Sequence, residues 1–256
     1  MTEDQPLTLT RRRLSVDSHV VDVRSSPYRD GPAIVMVHGI GVSGDYFLPF
    51  ARVLAPLRQV HLLDLPGYGT TPKPPRPLNL PELAEVAVGT ISQLGLVDPI
   101  LVGQSMGSQV VVDAIVARPA LCAAYILIGP TVDPEAHSIV RLAARLARDL
   151  TRETPANNLV VSRDYARMGI GRFLRTSRFM LADRIERNIA GCTMPGLVVR
   201  GARDPIARAT WVRRLAALAP NATSAEVPGA AHNVQHTHPH ELAKICDPFL
   251  SRFAHV

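Results

Sequence analysis

Short apolar runs alternate with longer amphipathic segments along most of the chain. Two early segments, 7–16 and 19–24, alternate apolar with polar residues and predict a pair of antiparallel strands. Five later runs are mostly apolar, and each is followed within two residues by Gly or Asp; they lie at 33–37, 60–63, 99–102, 125–128 and 197–199. Such runs predict strands that are buried on both faces, hence a parallel sheet with helices on either side.

Helical periodicity fills most of the segments between these runs. Asn79 and Glu82 have the spacing of a capping box, so one helix should begin there. Apolar residues recur at spacings of three and four in five segments, 45–57, 79–94, 106–117, 207–218 and 239–253. This spacing indicates amphipathic helices. The repeated order of strand and helix predicts a doubly wound α/β fold.

One connection is far longer than an ordinary loop between a strand and its neighbour. Residues 131–195 separate the run at 125–128 from the run at 197–199. The pattern within this connection predicts helices over 135–150, 159–168, 171–176 and 181–189. We expect a helical insertion over 131–195 that lies on a core formed by 1–130 and 196–256.

The sequence Gly103-Gln-Ser-Met-Gly107 joins a predicted buried strand to a predicted apolar helix. A Gly-x-Ser-x-Gly motif in this setting is typical of a nucleophile elbow, a turn so tight that only glycine fits beside the serine. We expect Ser105 to project its hydroxyl beyond the carboxyl edge of the sheet. The N–H of Met106, at the start of the helix, would face any negative charge that develops there.

A serine hydroxyl becomes a good nucleophile only when a base takes its proton. His232, in Pro228-Gly-Ala-Ala-His232-Asn, follows a predicted strand and is the candidate base. Asp204 also follows a predicted strand and is the candidate acid that would orient the imidazole. Asp133, just past the run at 125–128, is an alternative for that acid. In either case the side chains would meet at the edge of the sheet where Ser105 lies.

A glycine-rich turn, His38-Gly-Ile-Gly41, follows the first of the five apolar runs. Such a turn lets a backbone N–H point at the serine from the side opposite Met106. Two such donors make an oxyanion hole. The expected donor is Ile40, although a neighbouring residue of the turn is an alternative. His38 itself is expected to be a structural turn residue.

These motifs, in this order and spacing, resemble those of the α/β-hydrolase superfamily. The matching segments are His38-Gly39, Asp64-Leu-Pro-Gly-Tyr-Gly69, Gly103-Gln-Ser-Met-Gly107, Gly201-Ala-Arg-Asp204-Pro and Pro228-Gly-Ala-Ala-His232. The resemblance implies an eight-stranded, mostly parallel sheet flanked by helices, with a helical cap inserted after the sixth strand. It also implies a triad in the chain order Ser105, Asp204, His232. Dehalogenases and epoxide hydrolases of this superfamily use an aspartate nucleophile, so Ser105 argues against both.

The resulting functional prediction is hydrolysis of a carboxylic ester or related acyl compound through an acyl-enzyme on Ser105. Three alternatives stay open, namely a hydrolase of carbon–carbon bonds in aromatic ring-cleavage products, a lactonase or perhydrolase-like enzyme, and a non-catalytic ligand receptor. The carbon–carbon hydrolases commonly carry a Trp soon after the catalytic histidine. In this chain the only Trp is Trp211, which weakens that alternative.

Composition narrows the possible settings. With 46% hydrophobic and 20% charged residues among 256, the chain is neither disordered nor a highly charged coiled coil. The three cysteines lie far apart, which favours a reducing compartment over a disulfide framework. Residues 1–6 are polar, and the longest apolar region, 110–128, is interrupted by charged residues and proline. We therefore expect a cytoplasmic location, with no signal peptide and no membrane span.

The histidines at 236, 238 and 240 resemble a metal-ligand cluster. No Asp, Glu or Cys neighbour completes a site, and these residues are better interpreted as the entry to the last helix. We expect neither a metal nor a cofactor, since a serine triad needs none. The oligomeric state stays open.

Arginine dominates the positive charge. The formal net charge is +6, and 26 of the 28 basic residues are Arg. Basic residues are not clustered with aromatic ones, so we expect no nucleic-acid partner. Residues 131–195 hold 11 Arg, no Lys, and 7 Asp and Glu, a net charge of +4. These arginines are interpreted either as a solvated surface or as contacts to an anionic substrate at the mouth of the pocket.

Overall fold

The computed structural model describes residues 7–253, and the prediction about the polar residues 1–6 lies outside that range. An eight-stranded sheet has the order β1-β2-β4-β3-β5-β6-β7-β8. The strands are β1 (Thr10–Val16), β2 (His19–Ser25), β3 (Ile34–Val37), β4 (Val60–Asp64), β5 (Ile100–Gln104), β6 (Ala124–Ile128), β7 (Gly196–Gly201) and β8 (Ala222–Val227). The predicted eight-stranded α/β fold is confirmed.

Helices fill the connections between the strands. They are α1 (Leu48–Leu54), α2 (Leu80–Gln93), α3 (Met106–Ala117), α4 (Ile139–Leu150), α5 (Pro155–Met168), α6 (Ile170–Ala182), α7 (Ile185–Asn188), α8 (Ala209–Leu218), α9 (Val234–Thr237) and α10 (Pro239–Leu250). The capping box is confirmed, because the Glu82 N–H donates to Asn79 Oδ1 at 2.9 Å and the Asn79 N–H donates to Glu82 Oε2 at 2.8 Å. Within residues 7–253 no helix is long and apolar enough to cross a membrane.

The pairing of the strands brings the ends of the parallel strands to one edge. β1 pairs with β2, and β2 with β4, in antiparallel orientation. All remaining pairs are parallel, and β5 lies between β3 and β6. The carboxyl ends of β3, β5, β6, β7 and β8 therefore lie along the same edge. Ligands in open α/β sheets bind at this edge.

Alternation along the strands divides the core into two layers. Val35 and Val37 of β3 pack in one apolar cluster with residues of α2, α3 and α8. Ile34 and Met36 pack in the other cluster with residues of α1 and α10. The side-chain period of two in a strand sends successive residues to opposite faces. The helices thus cover both faces of the sheet, as the continuously apolar strands predict.

The helices between β6 and β7 differ in detail from the prediction. Two of these inserted helices (α4–α7) were predicted at 171–176 and 181–189. Two separate helices, α6 and α7, are present there, but the chain does not break at 177–180. Instead α6 runs unbroken over Ile170–Ala182, because 177–180 contains no Gly or Pro and Met180 is buried against the core. The helix ends where Asp183 turns extended, at ψ 145°. The first inserted helix starts later than predicted, because Ser138 caps it through the Arg141 N–H.

Candidate active site

The turn between β5 and α3 has the geometry of a tight elbow. Ser105 has φ 55° and ψ −119°, a conformation that an L-residue adopts only under strain of about 1–3 kcal/mol. A Cβ at Gly107 would lie 2.1 Å from the carbonyl oxygen of Val37, and one at Gly103 would lie 2.4 Å from the carbonyl oxygen of Gly107. Glycine is therefore required on both sides of the serine, as the motif predicts.

His232 and Asp204 form a buried pair at the same edge of the sheet. Nδ1 of His232 lies 2.8 Å from Asp204 Oδ2. The other carboxylate oxygen, Oδ1, accepts the N–H groups of Ile206 at 2.7 Å and Ala207 at 3.0 Å. These two bonds fix the carboxylate, so that one oxygen is left to orient the imidazole.

The loop that carries Asp204 is held by a buried arginine at the end of β7. Arg200 Nη2 donates to the Asp204 carbonyl at 3.0 Å, and Nε donates to the Ala207 carbonyl at 2.7 Å. Its Nη1 also forms an ion pair with Glu226 at 3.2 Å. The guanidinium thus satisfies backbone carbonyls that would otherwise be buried without partners.

The alternative acid, Asp133, is engaged elsewhere. Its Oδ2 accepts from Arg145 Nη1 at 2.9 Å and from Arg208 Nε at 2.6 Å, and its Oδ1 accepts the Glu135 N–H at 3.0 Å. These cations lower the pKa of Asp133, although burial alone would raise it. The structure therefore brings Asp204, and not Asp133, to His232.

The glycine-rich turn after β3 lies directly against the serine. A Cβ at Gly39 would lie 3.1 Å from the Cβ of Ser105, so this turn approaches the elbow as closely as a glycine allows. Ile40 lines the cavity next to Ser105. Met106 is the first residue of α3, and its N–H is one of the four at the helix start that have no acceptor within the helix.

His38 belongs to the framework of the turn. Its Nε2 accepts the Leu65 N–H at 3.1 Å, and its Nδ1 lies 2.8 Å from the Gly39 carbonyl oxygen. Nδ1 must therefore carry the proton, since Nε2 is the acceptor. Burial lowers the pKa of His38, which keeps this neutral tautomer. The placement agrees with the structural role expected from the sequence.

A cavity of about 60 Å³ opens over Ser105. We call it the Ser105 cavity. Its lining residues come from the β3 turn, the elbow, the inserted helices and the histidine loop (228–233). They are Gly39, Ile40, Val42, Tyr46, Gln104, Ser105, Leu146, Asp149, Leu150, Val161, Tyr165, His232 and Asn233. Most of the wall is apolar, and no Arg or Lys among residues 7–253 lines it.

The arginines of the inserted helices lie outside this lining. Arg163 Nε pairs with Asp164 at 2.8 Å, and Arg172 Nη2 donates to the Pro74 carbonyl at 2.7 Å. Three others, together with Arg208, line a separate groove; they are Arg145, Arg148 and Arg152. Asp204 also lines this groove. No arginine of the inserted helices lines the Ser105 cavity itself, and contacts of these arginines to an anionic substrate at the mouth of the pocket stay a prediction.

Two acidic residues at this site were not predicted from the sequence. Asp149 Oδ1 accepts the backbone N–H of His232 at 3.2 Å, and Glu153 Oε1 accepts that of Asn233 at 2.8 Å. The one available signal was their position, because acidic side chains at the C-terminal end of a helix oppose the helix dipole. Asp149 lies in the last turn of α4, where a purely structural helix would favour a cation.

Three carboxyl groups set the charge of the base. Burial alone would lower the pKa of His232, but the charge and hydrogen bond of Asp204, with Asp149 and Glu153, raise it to about 9. Burial raises the pKa of Asp149 to about 6 and that of Glu153 to about 7. The three carboxyl groups therefore favour the imidazolium form of His232.

Gly129 is a further position that the sequence analysis missed. It follows β6 with φ 54°, and a Cβ there would lie 2.9 Å from both Cε1 and Nδ1 of His232 and 3.3 Å from Asp204 Oδ2. The end of β6 therefore forms one wall of the space that holds the histidine–aspartate pair. A larger residue would displace that pair.

Among residues 7–253, no group of three or more His, Cys, Asp and Glu side chains is arranged to hold a metal ion. The ring of His236 stacks on Tyr46 at a centroid distance of 5.4 Å. His238 Nδ1 lies 2.9 Å from the Thr237 hydroxyl. These contacts accord with the interpretation of this segment as a helix entry.

Comparisons with known proteins agree with this architecture. Residues 34–245 match the family described as "Alpha/beta hydrolase family". A pimeloyl-[acyl-carrier protein] methyl ester esterase of Xanthomonas campestris pv. campestris is 28% identical over 248 residues, covering 86% of this chain and 96% of that protein.

Two solved structures show the same fold at low identity. A membrane phospholipase A, described as a bacterial virulence factor, has a TM-score of 0.82 at 19% identity and covers 97% of this chain and 87% of that one. The 2-hydroxy-6-oxo-6-phenylhexa-2,4-dienoate hydrolase of Rhodococcus sp. strain RHA1 has a TM-score of 0.76 at 18% identity, covering 96% of this chain and 100% of that one. At such identities the likeness shows the fold alone.

Proposed function

Because this chain belongs to the alpha/beta hydrolase family, we propose that it is a serine hydrolase that cleaves a carboxylic ester through an acyl-enzyme on Ser105. The observation that carries this proposal is the 2.8 Å contact of His232 Nδ1 with Asp204, in a histidine that lines one cavity with Ser105. A strained serine at a sheet edge, a buried histidine and an orienting carboxylate are the parts that acyl transfer needs.

The reaction follows from these positions. With Nδ1 bonded to Asp204, Nε2 of His232 is the free base that takes the Ser105 proton as the serine oxygen bonds to the ester carbonyl carbon. The N–H groups of Ile40 and Met106 would stabilise the resulting oxyanion. The bond from carbon to the leaving alcohol then breaks, and Nε2 returns the proton to that alcohol.

Water completes the cycle by the same route. His232 takes a proton from water as the water oxygen bonds to the acyl carbon, and the bond to Ser105 then breaks. The proton returns from Nε2 to the serine oxygen, which releases a carboxylic acid. No metal or cofactor takes part in these reaction steps.

The lining of the Ser105 cavity favours an aliphatic, uncharged acyl group. Ile40, Val42, Leu146, Leu150 and Val161 supply apolar wall, which gains from burying methylene groups. The similarity to a pimeloyl-[acyl-carrier protein] methyl ester esterase accords with a methyl ester as the scissile group and an aliphatic chain as the acyl part. We therefore propose simple alkyl esters of linear acids as the substrate class.

The carbon–carbon alternative has less support. Trp211 is buried in α8, and its Nε1 donates to the Pro130 carbonyl at 3.0 Å. It is not among the residues that line the Ser105 cavity. A lactone, which is an internal ester, would use the same steps as a linear ester, so lactones belong in the same substrate panel.

Labelling with a fluorophosphonate probe and turnover of a methyl ester series test the proposal together. We expect the probe to modify Ser105, and Ser105→Ala to abolish labelling and to lower turnover by about 10⁶-fold. Ser92→Ala, at an exposed serine of α2, is the control and should match the parent. Ester cleavage that survives Ser105→Ala would refute the proposed function.

A further inference from the structure

Two carboxyl groups tie the inserted helices to the histidine loop. Asp149 in α4 accepts the His232 N–H, and Glu153, four residues on, accepts the next N–H, that of Asn233. Asp149 and Asn233 are 4% and 6% exposed. Neither contact is local, because each spans about 80 residues of sequence. Two successive N–H groups of the loop therefore depend on acceptors from the inserted helices.

These contacts leave the histidine backbone little freedom. An N–H that is bonded to a carboxylate is held more strongly than one bonded to a neutral oxygen. The imidazole is fixed at its other end by Asp204. His232 is thus positioned from two directions, by the loop after β7 through its ring and by α4 through its backbone.

The same residues also set the charge around the imidazole. The groups that face His232 are Asp204 from the loop after β7, Asp149 from the end of α4 and Glu153 from the turn between α4 and α5. Arg152, between the two acids, partly offsets the charge of Asp149. A negative charge this close to a histidine favours its protonated form.

We propose that Asp149 and Glu153 are positioning residues for His232, which fix the backbone of the histidine loop and stabilise the imidazolium that forms when Ser105 is acylated. This inference rests on the proposed function. It assigns to the inserted helices a part in the proton transfer, in addition to covering the cavity with Leu146 and Leu150.

The consequence is a characteristic pH profile. Only neutral His232 can take the serine proton, so activity rises as pH passes through the pKa of this group. Removing a nearby negative charge lowers that pKa. Asp149→Asn, which keeps an oxygen acceptor of similar size, should therefore move the rising limb of kcat/KM toward acid by roughly one pH unit. We expect kcat at the alkaline plateau to fall roughly tenfold, with little change in KM, because the base is weaker and the transition state loses a stabilising charge.

The experiment compares Asp149→Asn, Asp149→Glu and Glu153→Gln with the parent, using a neutral methyl ester and the rate of fluorophosphonate labelling at each pH. Asp149→Glu keeps the charge and should retain the parental profile, whereas Glu153→Gln should shift it in the same direction as Asp149→Asn. Glu135→Gln is the matched control, since Glu135 lies in the same segment and pairs with Arg208. This control should leave the profile unchanged.

Each outcome decides a separate point. Profiles that coincide for Asp149→Asn, Glu153→Gln and the parent would overturn the inference, even if the variants are less stable. Should one of these two variants fail to fold, the other carries the same test. Turnover that does not depend on Ser105 would instead refute the proposed function, so the two failures are distinguishable.

Discussion

A methyl group added at Gly129 tests how closely the histidine–aspartate pair is confined. In Gly129→Ala the new Cβ would lie 2.9 Å from Cε1 and Nδ1 of His232, and 3.3 Å from Asp204 Oδ2. Ordinary contact begins at 3.4 Å, so the imidazole must move by about half an ångström. The backbone φ of 54° adds a separate cost, since an L-residue in the left-handed region is destabilised by roughly 1–2 kcal/mol.

The displacement predicts a loss of activity larger than the loss of stability explains. A misplacement of 1 Å at a reacting group costs about 10²-fold in rate, so half that distance should lower kcat by roughly tenfold. The free energy of unfolding of Gly129→Ala falls only by the backbone strain and by the cost of repacking around one methyl group. At a temperature well below the melting point of the variant, its population should still be folded while its kcat on a methyl ester is reduced.

Gly95→Ala separates the two effects. Gly95 has φ 66° and no heavy atom within 4 Å of the added Cβ, so it carries the same backbone strain far from the site. The assay is kcat and KM on a neutral methyl ester, with the melting temperature of each variant measured in parallel. We expect both variants to be folded at the assay temperature, with the lower melting temperature in Gly129→Ala because only its Cβ overpacks the core, but full activity only in Gly95→Ala. Equal kcat values in the two folded variants would refute the inferred confinement of His232.

Three further predictions concern the acid, the base and the substrate charge. Asp204→Asn should lower kcat by about 10⁴-fold, whereas Asp133→Asn should be less stable but keep most of its activity. The reverse result in the same ester assay would assign the role of the carboxylate that orients His232 to Asp133. In the parent, kcat/KM should rise with pH and reach half of its maximum near the His232 pKa of about 9, with the plateau at higher pH. A plateau already reached at pH 6.5 would contradict the three-carboxyl environment. An ester whose acyl chain ends in a carboxylate should be cleaved more slowly than its neutral isostere, because Asp149 lines the cavity and no arginine does. In kinetics with both esters, the ratio of their kcat/KM values should move toward one in Asp149→Asn and stay unchanged in Arg148→Glu.

Local chemistry explains which features were predictable from the sequence. The elbow could be predicted because its constraint is steric and lies within five residues, where Gly103 and Gly107 leave no room for a Cβ. The capping box at Asn79 is equally local. Five strands, β3 to β7, follow from apolar runs, since their residues are buried on both faces of the sheet and no polar face interrupts the pattern.

The missed features depend on contacts between distant segments. Asp149 and Glu153 meet the histidine loop only after the inserted helices pack on the sheet, and their position near the end of α4 does not indicate which N–H groups they accept. The partners of the arginines of 131–195 also depend on packing. Arg163 pairs with Asp164 and Arg172 donates to the Pro74 carbonyl, and neither contact is indicated by the local sequence. Burial of Met180 against the core keeps α6 continuous, and this contact could not be predicted from helical periodicity alone.

Trapping the acyl-enzyme would show whether Ser105 carries the acyl group during turnover. The protein is mixed with an activated ester, quenched in acid within the first turnover, digested and examined by mass spectrometry. We expect an acyl mass on the peptide that contains Ser105, absent from Ser105→Ala and present in Ser92→Ala. Steady ester turnover with no such adduct, or an adduct on another residue, would contradict it.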